Sequence, residues 1–75
     1  MSLKIPYNLS ARLATFPVSP SGVNQVTLVL IDGRKINRVH VAPGGEIVKI
    51  GDKAINDIWD LDFSIFAIKD VTSEI

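Results

Sequence analysis

The fold is decided by Gln25-Val-Thr-Leu-Val-Leu-Ile-Asp-Gly-Arg-Lys-Ile36, in which two apolar runs flank an Asp-Gly pair. An Asp-Gly pair between strand-like runs is the strongest short-range signal for a β-hairpin. Gly33 adopts a positive φ without steric cost, and Asp32 can bond to the backbone of the turn. We therefore predict a strand over residues 24–31 and a return strand over residues 35–42.

The first strand of this hairpin is apolar on both faces. Its alternating sides carry Val26, Leu28 and Leu30, and then Val29 and Ile31. A strand of this kind is covered on both sides in a folded protein. Two covers are open for the second face, either residues 1–23 or another subunit.

Further turns divide the rest of the chain into short strands. Pro43-Gly44-Gly45 and Gly51-Asp52-Lys53 bracket a strand over residues 46–50, and another strand is predicted over residues 68–72. This rhythm is typical of an antiparallel meander. Residues 9–16 are predicted as the first strand, with a short amphipathic helix as the alternative, and residues 56–62 can hold a single helical turn.

Composition indicates an all-β protein with a single domain over residues 1–75. The chain has 8 Val and 10 Ile but only 2 Glu, a balance that favours strands over helices. We predict a small antiparallel barrel of about five strands, SH3-like or Sm-like. The residues expected in its core are Val26, Leu28, Leu30, Val39, Val41, Val48, Ile50, Phe63 and Ile68.

Residues 25–36 resemble the central hairpin of Sm-like small barrels, in which a Leu-x-Asp-Gly-Arg-like turn precedes a strongly bent strand. Phe66-Ala-Ile-Lys-Asp-Val71 also resembles the closing strand of SH3-like barrels. Sm-like proteins usually have a glycine at the bend, where this chain has Asn37. Their RNA-pocket segments are not matched by residues 43–47 and 64–67. The resemblance therefore implies the fold and ring-like assembly, and it carries over no RNA-binding residue.

Charge and size together predict self-association. Residues 1–50 carry six basic and two acidic side chains, a balance of +4, and residues 51–75 carry two basic and six acidic ones, a balance of −4. A small domain without cysteine has no disulfide to stabilise it. We expect a non-enzymatic interaction module that forms a homo-oligomer, with exposed strand edges as the natural route of head-to-tail contact.

RNA binding is the alternative function, and it would use Arg34, Lys35 and Arg38 beside the hairpin turn. The other interpretation of these three cations is a solvated hairpin tip. The net charge of zero argues against a general polyanion binder, and no DNA binding is expected. RNA is therefore a possible partner but not the favoured one.

Other chemistry-bearing residues favour structural interpretations. His40 is the only histidine and is predicted to be a surface residue, because no partner for catalysis is placed near it by sequence. The aspartates at 52, 57, 60 and 62 lack the spacing of a calcium loop, so no metal or cofactor is expected. Trp59 is predicted to plug the barrel, with an exposed interface anchor as the alternative.

No apolar stretch approaches the ~20 residues that span a bilayer, and a cytoplasmic location is expected.

Overall fold

The computed structural model describes residues 3–20 and 22–74, and its elements form one five-stranded antiparallel sheet with a helix packed against it. The helix α1 comprises Tyr7–Leu13. The strands are β1 (Asn24–Leu30), β2 (Lys35–Ala42), β3 (Glu46–Ile50), β4 (Lys53–Ala54) and β5 (Ile68–Ser73). Two 3₁₀ turns, Ile58–Asp60 and Ile65–Ala67, lie between β4 and β5. The all-β class, the hairpin, the later strands and the helical turn near residues 56–62 are thus confirmed.

The predicted first strand over residues 9–16 is wrong, because the chain forms α1 there. Leu9 and Leu13 are four residues apart and are both buried, as on one face of a helix. The alternating pattern depended on Ala11, which is exposed. Pro6 is the cap residue before the first turn, with φ −53° and ψ 142°, and a proline there prevents the helix from extending further toward the N-terminus.

The strand order is β4-β3-β2-β1-β5, and the sheet is open. The predicted closure into a barrel is therefore wrong. The register of strand pairing shifts at several places in the sheet. One of these shifts is a β-bulge that places two residues of β2, Asn37 and Arg38, opposite Thr27 of β1. Arg38 has a φ of 57°, in the left-handed region. A bulge of this kind bends its strand and increases the local twist.

The core lies between α1 and one face of the sheet. Val26, Leu28 and Leu30 of β1 are at most 2% exposed. The same cluster includes Leu3, Ile5, Leu9 and Leu13 from the N-terminal segment, and Val39, Val41, Ile47, Ile55, Ile68 and Val71 from the rest of the chain. Residues 3–13 thus lie over the first face of β1, that of Val26, Leu28 and Leu30. On its second face, Val29 is half-buried and Ile31 is 68% exposed.

Three residues of the predicted core are less buried than expected, although Ile50 and Phe63 still pack against the core. Val48, Ile50 and Phe63 are half-buried, whereas Ile47 is fully buried. The pairing between β2 and β3 shifts between His40 and Val41. Because side chains alternate along a strand, such a shift changes which of them face the core.

Hydrogen bonds from the chain itself occupy part of each side of the sheet, beside β3 and along β5. Along β3, the N–H of Ile47 donates to the Leu3 carbonyl (3.1 Å), and the N–H of Ile55 donates to the Val48 carbonyl (3.0 Å). At the β5 edge, the register directs the N–H of Val71 away from β1, and it donates to Oδ1 of Asp70 (2.8 Å).

The β5 edge is also linked to α1. Arg12 of the helix forms an ion pair with the same Asp70 carboxylate. The N–H of Val71 and the Arg12 guanidinium both hold the pKa of Asp70 below its usual value. Side chains that occupy an edge in this way oppose the addition of a further strand.

Candidate functional site

An open apolar groove lies between the N-terminal segment and the chain that connects β4 to β5. Its volume is about 900 Å³. We call it the Trp59 groove, and its lining residues are Lys4, Ile58, Trp59, Leu61, Asp62, Phe63, Ser64, Ile65 and Phe66. A smaller pocket of about 310 Å³ shares residues 61–63 with it and extends toward Ile36 and Ile50. The size and largely apolar lining of the Trp59 groove are typical of a binding site.

The walls of the groove are shaped by the two 3₁₀ turns. At the first turn, Oδ2 of Asp60 accepts the N–H groups of Asn56 (2.9 Å) and Asp57 (3.2 Å). These backbone hydrogen bonds, that from Asn56 above all, hold the pKa of Asp60 below its usual value. At the second turn, Oγ of Ser64 accepts the N–H of Phe66 (3.2 Å). Short polar side chains thus fix the backbone of a segment whose apolar side chains form the walls.

Two aromatic rings of this segment protrude into solvent. Trp59 is 84% exposed and Phe66 is 87% exposed, whereas Ile58, Leu61, Phe63 and Ile65 pack partly against the core. The prediction that Trp59 plugs the fold is wrong, and the alternative of an exposed ring is correct. The N–H of Ile31 donates to the carbonyl of Ala67 (2.8 Å), which ties the end of the second 3₁₀ turn to the end of β1.

The charged groups around the Trp59 groove are balanced. Lys4 and Asp62 lie in its lining, and Nη2 of Arg34 lies 3.1 Å from Oδ2 of Asp62. Lys53 donates to the carbonyl oxygen of Asp60 (3.1 Å). Lys4 and Asp62 are the two charged residues of the groove lining, one basic and one acidic, so the lining carries no net charge.

The three predicted RNA-binding cations have different surroundings. Arg34 is paired with Asp62 at the rim of the groove. Lys35 is exposed at the start of β2, opposite Val29. The Arg38 guanidinium lies against Gly51, where an added Cβ would be 2.8 Å from Nη2. RNA binding through these residues stays a prediction.

His40 lies half-buried on the second face of the sheet, near a carboxylate that the sequence analysis missed. Oε2 of Glu74 accepts the Arg38 N–H (2.9 Å) and the Thr27 hydroxyl (2.6 Å). Burial raises the pKa of Glu74, but these hydrogen bonds, a further one from Gln25 and the nearby His40 outweigh it and leave the pKa below its usual value. The Glu74 carboxylate thus provides an acceptor for a backbone N–H group of the β2 bulge. No sequence signal indicated this contact, because it forms only where the bulge is present.

Within residues 3–20 and 22–74, no group of three or more His, Cys, Asp or Glu side chains is arranged to hold a metal ion. In the same part of the chain, no helix has the length and apolarity needed to cross a membrane. Comparisons with protein-family models, with curated proteins and with solved structures found no match to this chain.

Proposed function

We propose that the protein is a non-enzymatic interaction module that associates with copies of itself through its exposed apolar surface. The observation that carries the proposal is the exposure of Trp59 and Phe66 beside an apolar groove. Aromatic rings at a rigid, apolar site are typical anchors of protein interfaces. Contiguous apolar surface on a small domain marks such sites more often than scattered single residues do.

The partly occupied sheet edges favour this surface over strand pairing as the route of association. A strand added beside β5 would have to displace Asp70 from the N–H of Val71 and from Arg12. A strand added beside β3 would have to displace residues 3–5 or 53–55. The apolar surface around Trp59 needs no such rearrangement.

The oppositely charged halves of the sequence also support association through apolar contacts. The ion pairs Arg12–Asp70 and Arg34–Asp62 join the basic half to the acidic half within one molecule. Charges that are paired inside the fold contribute less to contacts between copies. They mainly influence orientation and encounter rate.

Kinship with Sm-like or SH3-like small barrels is part of the proposal. The five antiparallel strands and the bend of β2 at Asn37 and Arg38 support it. The open sheet departs from the closed form of those barrels. Ring-like assembly would require an edge contact, which the present edge arrangement disfavours.

Sedimentation velocity over a range of concentrations tests the function. We expect a mass that rises above 8.2 kDa with concentration, and that persists in high salt because apolar contacts dominate. A monomer at every concentration up to millimolar would overturn the proposal. A mass that falls to that of the monomer in high salt would assign association to charge instead.

A further inference from the structure

We infer that two copies of the chain form a twofold dimer in which the Trp59 ring of each copy enters the Trp59 groove of the other. This inference rests on the proposed function and adds the occupant of the groove, the symmetry and the anchoring residue.

The first argument is that a protruding ring and an open groove lie on one face. Trp59 belongs to the lining of the groove and is also 84% exposed, so its ring stands at the rim. A groove of about 900 Å³ is large enough for an indole. In a twofold interface the same patch of both copies meets, so each ring can face the groove of the partner.

The second argument is the charge balance of the lining. One basic and one acidic side chain, Lys4 and Asp62, give the lining no net charge, and a copy of it is therefore not repelled. A copy rotated by the twofold axis can set Lys4 against Asp62 of its neighbour. A strongly basic or strongly acidic partner would gain little from a neutral lining, whereas a second copy of this chain has no net charge either.

The third argument is the area available. A buried aromatic side chain contributes about 150–250 Å². Trp59 and Phe66 from both copies supply four rings, or about 800 Å² if all four are buried, before the facing groove walls are added. The rings alone stay below the roughly 1,200 Å² at which standard specific interfaces begin, and the walls bring the total closer to it. The dimer is therefore expected to be weak and reversible.

Sedimentation equilibrium of the full chain and three variants tests this reciprocal insertion of the Trp59 rings, which we call the interlock. Trp59→Ala and Phe66→Ala remove rings at the groove, and Tyr7→Ala is the matched control, because Tyr7 is 87% exposed on α1 and lies outside the groove lining. We expect the wild-type mass to stop at twice 8.2 kDa. Trp59→Ala should weaken the dimer about thirtyfold or more, Phe66→Ala should weaken it less, and Tyr7→Ala should change the dissociation constant less than about threefold.

Failure of the inference and failure of the function are distinguishable. A wild-type chain that stays monomeric overturns both. A wild-type dimer that Trp59→Ala leaves as tight as Tyr7→Ala overturns the interlock alone, and a mass that grows beyond the dimer overturns the twofold symmetry. Circular dichroism checks that each variant is folded, and Phe66→Ala provides the test if Trp59→Ala is not.

Discussion

The β1–β2 hairpin and the segment between β4 and β5 are both rich in large apolar residues, but they place them oppositely. In the hairpin, Val26, Leu28 and Val39 are fully buried. In the segment, Trp59 and Phe66 are more than four-fifths exposed. The difference comes from periodicity. A strand repeats every two residues and directs one face inward throughout. In a 3₁₀ turn successive side chains are about 120° apart, so three consecutive residues point in three directions and one of them can face solvent.

This contrast assigns the two regions different roles. The apolar residues of the hairpin stabilise the fold, because they lie between α1 and the sheet. The rings of the segment contribute little to the fold and remain available for contact with another molecule. Substitutions in the hairpin should therefore change stability, and substitutions of the exposed rings should change association.

The largest effect is expected for Leu28→Ala in the hairpin. Leu28 is fully buried, and its truncation should cost about 2–5 kcal/mol through lost burial and a cavity. Trp59→Ala should leave the unfolding free energy of the monomer nearly unchanged. Urea denaturation followed by circular dichroism, at concentrations below association, measures both. Equal destabilisation by the two variants would remove the contrast between the regions.

A smaller effect is expected for Glu74→Gln, which weakens the support of the β2 bulge. The loss of the charged acceptor for the Arg38 N–H and the Thr27 hydroxyl should cost roughly 0.5–1 kcal/mol. Because the pKa of Glu74 is lowered in the folded protein, its charge stabilises the fold above its ordinary pKa and loses this effect as the pH falls through the lowered value.

The pH dependence of unfolding checks this assignment. The difference between wild type and Glu74→Gln should be largest near neutral pH and should shrink below about pH 4. Glu46→Gln is the control, since Glu46 is exposed on β3. A Glu74 variant that matches the Glu46 variant at every pH would show that the bulge does not depend on this carboxylate.

A weak coupling is expected between the two regions through Arg34 and Asp62. Both side chains are largely solvated, at 47% and 76% exposure, so the pair should contribute about 0.2–1 kcal/mol and less in high salt. A double-mutant cycle with alanine at each position measures this coupling. A value well above that range, insensitive to salt, would mean that the segment is held by the hairpin more firmly than the packing indicates.

The smallest effect is expected for single-stranded RNA. If Arg34, Lys35 and Arg38 met phosphates, log affinity would fall with log salt at a slope of roughly −0.7 per phosphate. We expect no salt-dependent binding in a low-salt titration, because Arg34 is paired with Asp62 and the net charge is zero. A slope near that of three phosphates, lost in the triple alanine variant, would instead support the RNA-binding function.

The sequence predicted the regions with a clear period and missed those without one. The alternation in residues 24–31 and the Asp-Gly turn gave the hairpin, since burial of one face fixes the register. Leu9 and Leu13 fit both a strand and a helix, and only packing against the sheet distinguishes them. Trp59 was ambiguous for a similar reason, since no local pattern states whether a ring faces the core or solvent. The Glu74 contact depends on a bulge and a distant strand, which no local pattern contains.

The fluorescence of Trp59 provides the most direct test of the central claim that its ring is free in the monomer and covered in the associated protein. Trp59 is the only tryptophan of the chain, so its emission reports on this site alone. On dilution from millimolar to low micromolar concentration, we predict that the emission shifts to longer wavelength and that acrylamide quenching increases, while circular dichroism stays constant. Emission and quenching that are identical at all concentrations, with the values of a solvated indole, would contradict the account.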